Sequence, residues 1–129
     1  MKALEHALHL AELHDAELHI ISVIEEFNLP FASQYELWAS ESRDEFISQV
    51  LEEMNSAMRE VKREDIDITV ETRIEEGRPA KVIKEIAEGE NFDLIVIGAT
   101  GIGRVQEFLL GSVSREILNT SKLPVLVVK

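Results

Sequence analysis

The hydrophobic period of this chain switches back and forth between that of a helix and that of a strand along its whole length. Leu4, Ala7, Leu8 and Ala11 recur at i, i+3, i+4 and i+7 with Glu5, His9 and Glu12 opposite them, which predicts a helix over 3–14. Residues 17–24 bring Ile20, Ile21, Val23 and Ile24, whose β-branched side chains favour a strand. Asn28, Pro30 and Ser33 mark a loop. A long helix is expected from about Tyr35 to Arg63, with Ile47, Val50, Leu51, Met54, Met58 and Val61 as its apolar stripe. Over 66–74, Ile66, Ile68, Val70 and Ile74 alternate with Asp67, Thr69, Glu71 and Arg73, the pattern of a half-buried strand at or near a sheet edge. Gly77 and Pro79 open a helix that buries Val82, Ile83, Ile86 and Ala87 and is expected to stop at Gly89. Leu94–Ile97 is a continuous apolar run, expected to be a strand covered on both faces. A glycine-rich loop, a helix over Ser112–Asn119 and a strand over Val125–Val128 complete the chain. Strands that alternate with helices in this way specify an α/β fold, a doubly wound parallel sheet with helices on both faces. With no internal repeat, low-complexity stretch or linker, residues 1–129 form one domain.

Composition supports a self-sufficient core and removes several chemistries. Leu, Ile, Val and Phe make up a third of the 129 residues, enough for a domain of this size to fold without disulfides or metal. The absence of cysteine excludes disulfide scaffolds, thiolate zinc sites, iron–sulfur clusters and thiol catalysis, and fits a reducing compartment. No apolar run reaches membrane-spanning length. The opening MKALEHALHLAELHD is interrupted by charge and histidine, so it is not read as a signal peptide, and a cytoplasmic location is expected. The net charge of −12 is concentrated in residues 1–90, whereas residues 91–129 carry four basic and three acidic side chains. The acidic bulk would repel a nucleic-acid backbone or an anionic membrane. Only the final third lets an anionic ligand approach without a large Coulombic cost.

That third also carries the most informative segment, from Asp93 to Ser114. A buried strand runs into a loop holding Gly98, Gly101 and Gly103, and Gly111 then leads into a helix at Ser112. Ligands of α/β sheets bind outside the carboxyl ends of the strands. Glycines let backbone N–H groups close on an anion, and a helix start adds unpaired N–H groups and a positive dipole end. The hydroxyls of Ser112 and Ser114 could donate to phosphate oxygens. The bland alternative is a tight turn with Ser112 as a helix cap. There is no GxxxxGK[ST], so no phosphate-loop lysine. The string GATGIG evokes a dehydrogenase fingerprint, but that belongs after a first strand with several βα units behind it, and here only one strand remains.

The spacing Gly98-x2-Gly101-x9-Gly111-Ser112 resembles the G-x2-G-x9-G-[ST] signature of the universal stress protein family, in its ATP-binding branch. The flanking DLIVIG, the internal LLGSVS and the closing KLPVLVVK are similar to the family too, and the order of elements matches from residue 1 to 129. The resemblance implies a five-stranded parallel sheet in order 3-2-1-4-5 that dimerises. It implies that Gly98, Gly101, Gly111, Ser112, Val113 and Ser114 hold the triphosphate and ribose of ATP, or the corresponding parts of ADP or AMP, and that Val23 meets the adenine. Mg²⁺ or Mn²⁺ would travel with the nucleotide. Arg104, the one cation in the loop, could pair with a phosphate or stay solvated. Family chains open with a central strand ending in a Pro-Thr-Asp-like stretch, whereas this sequence starts within the pattern of the first helix. The expected consequence is two unpaired neighbouring edges. A lost or truncated N-terminal segment is favoured over closure of the remaining strands or a strand from another chain.

Other features are weaker. His6 and His9 share a helix face with Glu5 and Glu12 nearby, where a metal is imaginable but a solvated face is the ordinary reading. Tyr35 and Trp38 could line a cleft, though i, i+3 aromatics usually pack. No catalytic base or Ser/His/Asp constellation is legible, so turnover is not expected. The sequence therefore reads as a cytosolic stress-response regulator that binds ATP and hydrolyses it slowly if at all. The competing reading is an interaction module of the same fold that does not bind nucleotide. Val125–Val128, apolar and at an edge in the implied order, is the expected homodimer contact.

Overall fold

The computed structural model describes residues 2–25, 34–63, 65–99 and 110–129. The elements follow in the order α1 (Lys2–His14), β1 (Leu18–Ile24), α2 (Gln34–Arg63), β2 (Val70–Glu76), α3 (Pro79–Gly89), β3 (Ile95–Gly98), α4 (Ser112–Thr120) and β4 (Val125–Val128).

Three helices end by one device. Asp15, Asp65 and Asn91 adopt φ of 51°, 53° and 57°. The following residues, Ala16, Ile66 and Phe92, return their N–H groups to the carbonyls of Ala11, Val61 and Ala87 at 2.8, 3.3 and 2.9 Å. Such a left-handed residue satisfies carbonyls that the last helical turn leaves open, and Asp and Asn tolerate the conformation better than other non-glycine residues. This corrects two expectations. Gly89 is the last residue of α3 rather than its stop; Asn91 turns the chain. The second strand begins at Val70 rather than Ile66, because Ile66 is tied back to α2 and pairing starts only where Leu18 meets Val70.

β1 pairs with β2 in parallel from Leu18↔Val70 to Ile24↔Glu76, and β3 pairs with β4 in parallel from Ile95↔Val125 to Gly98↔Val128. Among the described residues no ladder joins the two pairs. Between them lies a cavity of about 330 Å³ lined by, among others, Leu4 and Ala7 of α1, Ile20 of β1, Ile83 of α3, and Ile95 and Ile97 of β3. The two inner strands therefore do not close on each other. This also explains why β3 is only partly covered: Ile95 is buried, but Val96 and Ile97 are half-buried and Leu94 is exposed.

The core beside the cavity is built from Ala80, Ala87, Ile95 and Ile117, with Ile83, Phe92, Ile97, Val113, Leu123 and Val125 packed around them. Ile117 is fully buried. In α2 the inward stripe is Val50, Met54, Ala57 and Val61, whereas Leu51 is exposed. Among the described residues no helix is long and apolar enough to cross a membrane.

Candidate functional site

The carboxyl end of β3 and the amino end of α4 meet at one point. The N–H of Ile95 bonds the Pro124 carbonyl at 3.0 Å, and that of Ala99 bonds Val128 at 2.8 Å. In a parallel ladder a residue's N–H and C=O point to the same side, and alternate residues point to opposite sides. The Gly98 carbonyl therefore points away from β4, off the open edge of β3. Ser114 takes it: its hydroxyl donates to the Gly98 oxygen at 2.6 Å. Beside this bond the Gly111 N–H donates to the Ala99 carbonyl at 2.7 Å. The two ends of the glycine loop are thus tied together, which fixes where the loop leaves and rejoins the fold.

α4 starts from Gly111, whose extended backbone (φ −62°, ψ 159°) makes it the cap residue. No side chain caps the helix, so Ser112 is its exposed first residue and not the cap. The first helical bond runs from the Arg115 N–H to the Gly111 carbonyl at 3.0 Å. The N–H groups of Ser112, Val113 and Ser114 consequently have no partner within the helix. The first turn carries no acid, so no carboxylate of that turn cancels the positive end of the helix dipole. Glu116, on the next turn, is drawn to Arg78 at 2.6 Å. This donor set, three backbone N–H groups and an exposed hydroxyl at a helix start, suits an anion such as a phosphate.

The structure therefore brings together Gly98, Gly111, Ser112, Val113 and Ser114. Ser114 is buried and spends its proton on Gly98, so it positions the loop ends instead of facing outward like Ser112. Gly101 and Arg104 lie outside the described residues. Val23 sits near the carboxyl end of β1, the strand whose Leu18, His19, Ile20 and Ile21 line the cavity opposite β3. The N–H of Leu18 bonds Thr69, and the Ile24 carbonyl accepts from Gly77, at 2.9 Å each. Even-numbered residues of β1 thus face β2, and the backbone groups of Val23 face the open edge. Tyr35 and Trp38 fall in the first turns of α2.

A second gathering of polar side chains, which the sequence reading missed, lies at the opposite end of β1: Glu17, His19 and Glu71, with one ligand atom of each within 4.8 Å of the others. The signal was present as Glu-x-His at a strand start, since i and i+2 share a face. His6 and His9 are exposed on α1, and among the described residues they join no such three-ligand group. Next to Glu71 on its strand face, Arg73 is held by both carboxylate oxygens of Glu90 at 2.7 and 2.9 Å. That hydrogen bonding raises the guanidinium above its ordinary pKa, so it stays charged throughout the working range of pH.

The sequence matches the universal stress protein family over residues 1–129. It is 36% identical over 132 aligned positions to universal stress protein MJ0531 of Methanocaldococcus jannaschii, covering all of this chain and 74% of that protein. The fold is similar to universal stress protein UspA from Lactobacillus plantarum, at a TM-score of 0.85 and 23% identity over 98% of this chain and 87% of the other. It is also similar to a universal stress protein solved in complex with cAMP, at a TM-score of 0.65 and 25% identity over 98% and 86% of the two chains.

Proposed function

The chain belongs to the universal stress protein family, and from that premise we propose that it binds an adenine nucleotide, ATP in the first instance, where β3 meets α4. The observation that carries this reading is the pair of bonds closing the glycine loop, Gly111 N–H to Ala99 and Ser114 hydroxyl to Gly98. They hold the described ends of the loop, Gly98–Ala99 and Gly111, at the start of a helix that carries no acid in its first turn. The phosphates would lie on the N–H groups of Ser112, Val113 and Ser114 with the Ser112 hydroxyl, and Gly98, Gly101 and Gly111 would let the backbone approach. Arg104 would add a charge-assisted contact. Val23 would offer its open-edge backbone groups to the adenine. Mg²⁺ or Mn²⁺ would accompany the polyphosphate, and ADP or AMP could replace ATP at the same donors. The cAMP complex of the similar protein supports an adenine nucleotide as the ligand class.

The nucleotide is held and not spent. Ser114 has its proton engaged, and the first turn of α4 holds no acid beside Ser112, so among the described residues of the helix start no base stands ready to activate a water or a hydroxyl. The role that follows is that of a cytosolic stress-response regulator whose nucleotide state is read by a partner. A homodimer through the outer edge of Val125–Val128 fits this role, because that half-buried edge is apolar and its inner side is already taken by β3. The second reading, an interaction module that does not bind nucleotide, is favoured by the cavity between β1 and β3. Calorimetry separates the two. The wild-type chain should bind ATP, and Gly101→Val, which places a Cβ where backbone must meet the anion, should weaken binding more than tenfold. Unchanged affinity in the variant, or several turnovers per second in a contaminant-free sample, would overturn the reading.

A further inference from the structure

We propose that His19 and Glu71 hold a divalent transition-metal cation of the zinc type, with Glu17 fixing the imidazole. The register of the first strand pair sets His19 directly opposite Glu71, so the two side chains leave the same sheet face a few ångströms apart. The imidazole is locked in place. It packs edge-on against Phe92, with ring centroids 4.7 Å apart at 78°, and its side chain is only 11% exposed.

The hydrogen-bonding pattern then assigns the ring proton. Nε2 lies 2.6 Å from Glu17 Oε1. A carboxylate only accepts, so Nε2 carries the proton and donates it. In the neutral ring this leaves a lone pair on Nδ1. Nδ1 is buried and has no hydrogen-bond partner among the described residues, yet Glu71 Oε2 stands 3.6 Å away. Two acceptors facing each other at that distance repel unless positive charge lies between them. A cation held between the two atoms removes that repulsion. A zinc-type cation bonds imidazole nitrogen at about 2.0–2.1 Å and carboxylate oxygen at about 2.0–2.2 Å, so at a tetrahedral angle its ligands stand about 3.4 Å apart. That is close to the 3.6 Å seen here.

The surroundings agree with this assignment. A metal-bound histidine characteristically donates its other ring N–H to a carboxylate, which is the part Glu17 plays. Arg73, which could have claimed Glu71, is turned to Glu90 instead. A nitrogen-and-oxygen ligand pair suits zinc, cobalt or nickel better than magnesium or calcium. Glu17 and Glu71 are 55% and 58% exposed, so water completes the coordination and the ion exchanges readily. The site lies at the amino end of β1, whereas the proposed nucleotide donors lie at the carboxyl end of β3, and the two are tested separately.

The experiment titrates Zn²⁺ into the nucleotide-free, metal-stripped chain and follows the imidazole nitrogens by two-bond ¹H–¹⁵N NMR, with calorimetry in parallel. One equivalent should bind, and the His19 Nδ1 resonance should shift while Nε2 keeps its proton. Glu71→Gln, at an exposed position that leaves the fold intact, should weaken binding at least tenfold. Mg²⁺ in large excess should not compete. A double His6→Ala/His9→Ala variant should bind as the wild type does. The proposal is overturned if Zn²⁺ does not bind at millimolar concentration, if Glu71→Gln binds unchanged, or if loss of His6 and His9 abolishes binding.

Discussion

Ser114→Ala isolates the bond that ties the glycine loop to the fold. Ser114 is 4% exposed and donates at 2.6 Å to a carbonyl pointing off the open edge of β3. The substitution removes one oxygen and creates no large void, so its cost is that of the hydrogen bond and of the acceptor left behind. Stranding a buried polar group costs about 1–3 kcal/mol. At about 2.1 cal/mol/K of unfolding entropy per residue, 129 residues give about 0.27 kcal/mol/K, so Tm should fall by about 4–11 °C. Thermal melts followed by circular dichroism at 222 nm measure this directly. Ser112→Ala is the internal control: it removes an identical hydroxyl from an exposed position two residues away and should stay within about 0.5 kcal/mol of wild type. ATP affinity should drop in Ser114→Ala as the loop ends separate. If the two variants melt together, the Ser114–Gly98 bond does not hold the loop, and the reasoning that makes Ser114 a positioning residue is wrong.

Ile117→Ala empties the fully buried position of the core and should cost about 2–5 kcal/mol in urea unfolding, with an unchanged m-value. Gly77→Ala should destabilise by about 1–3 kcal/mol in the same assay, because Gly77 sits at φ +138° and a Cβ there would meet Val82 Cγ2 at 2.9 Å. Val127→Lys, checked for folding by circular dichroism, should convert the expected dimer to monomer in sedimentation at tens of micromolar. A wild type that already runs as a monomer would refute the dimer.

Most of the architecture was legible in the sequence because each element carries a clean period. Val50, Met54 and Val61 of the α2 stripe and Ala87 of α3 follow from i, i+3, i+4 spacing, whereas Ala57 and Ala80 were not marked, because a small side chain gives little hydrophobic signal, and Leu51, which was, is exposed. Strand limits were less legible, since alternation in Ile66–Ile74 says which face is apolar but not where pairing starts. That is decided by the helix stop at Asp65 and the register with Leu18. Gly89 misled for a similar reason: glycine permits a left-handed turn, but Asn91 takes it. The strand and the helix that flank the glycine segment were legible, whereas the bond from the Ser114 hydroxyl to Gly98 was not, because a serine in a first turn can face a ligand or its own strand. Glu17, His19 and Glu71 were missed because their proximity comes from cross-strand register over more than fifty residues of sequence.

The most direct test of nucleotide binding at the β3–α4 junction is a backbone-amide NMR titration with ATP. The amides of Ser112, Val113 and Ser114 should shift in a saturable manner, with Val23 following and the Glu17–His19 end of β1 unmoved. No shift at these amides at millimolar ATP, or saturable shifts confined to other parts of the fold, would contradict the proposed site.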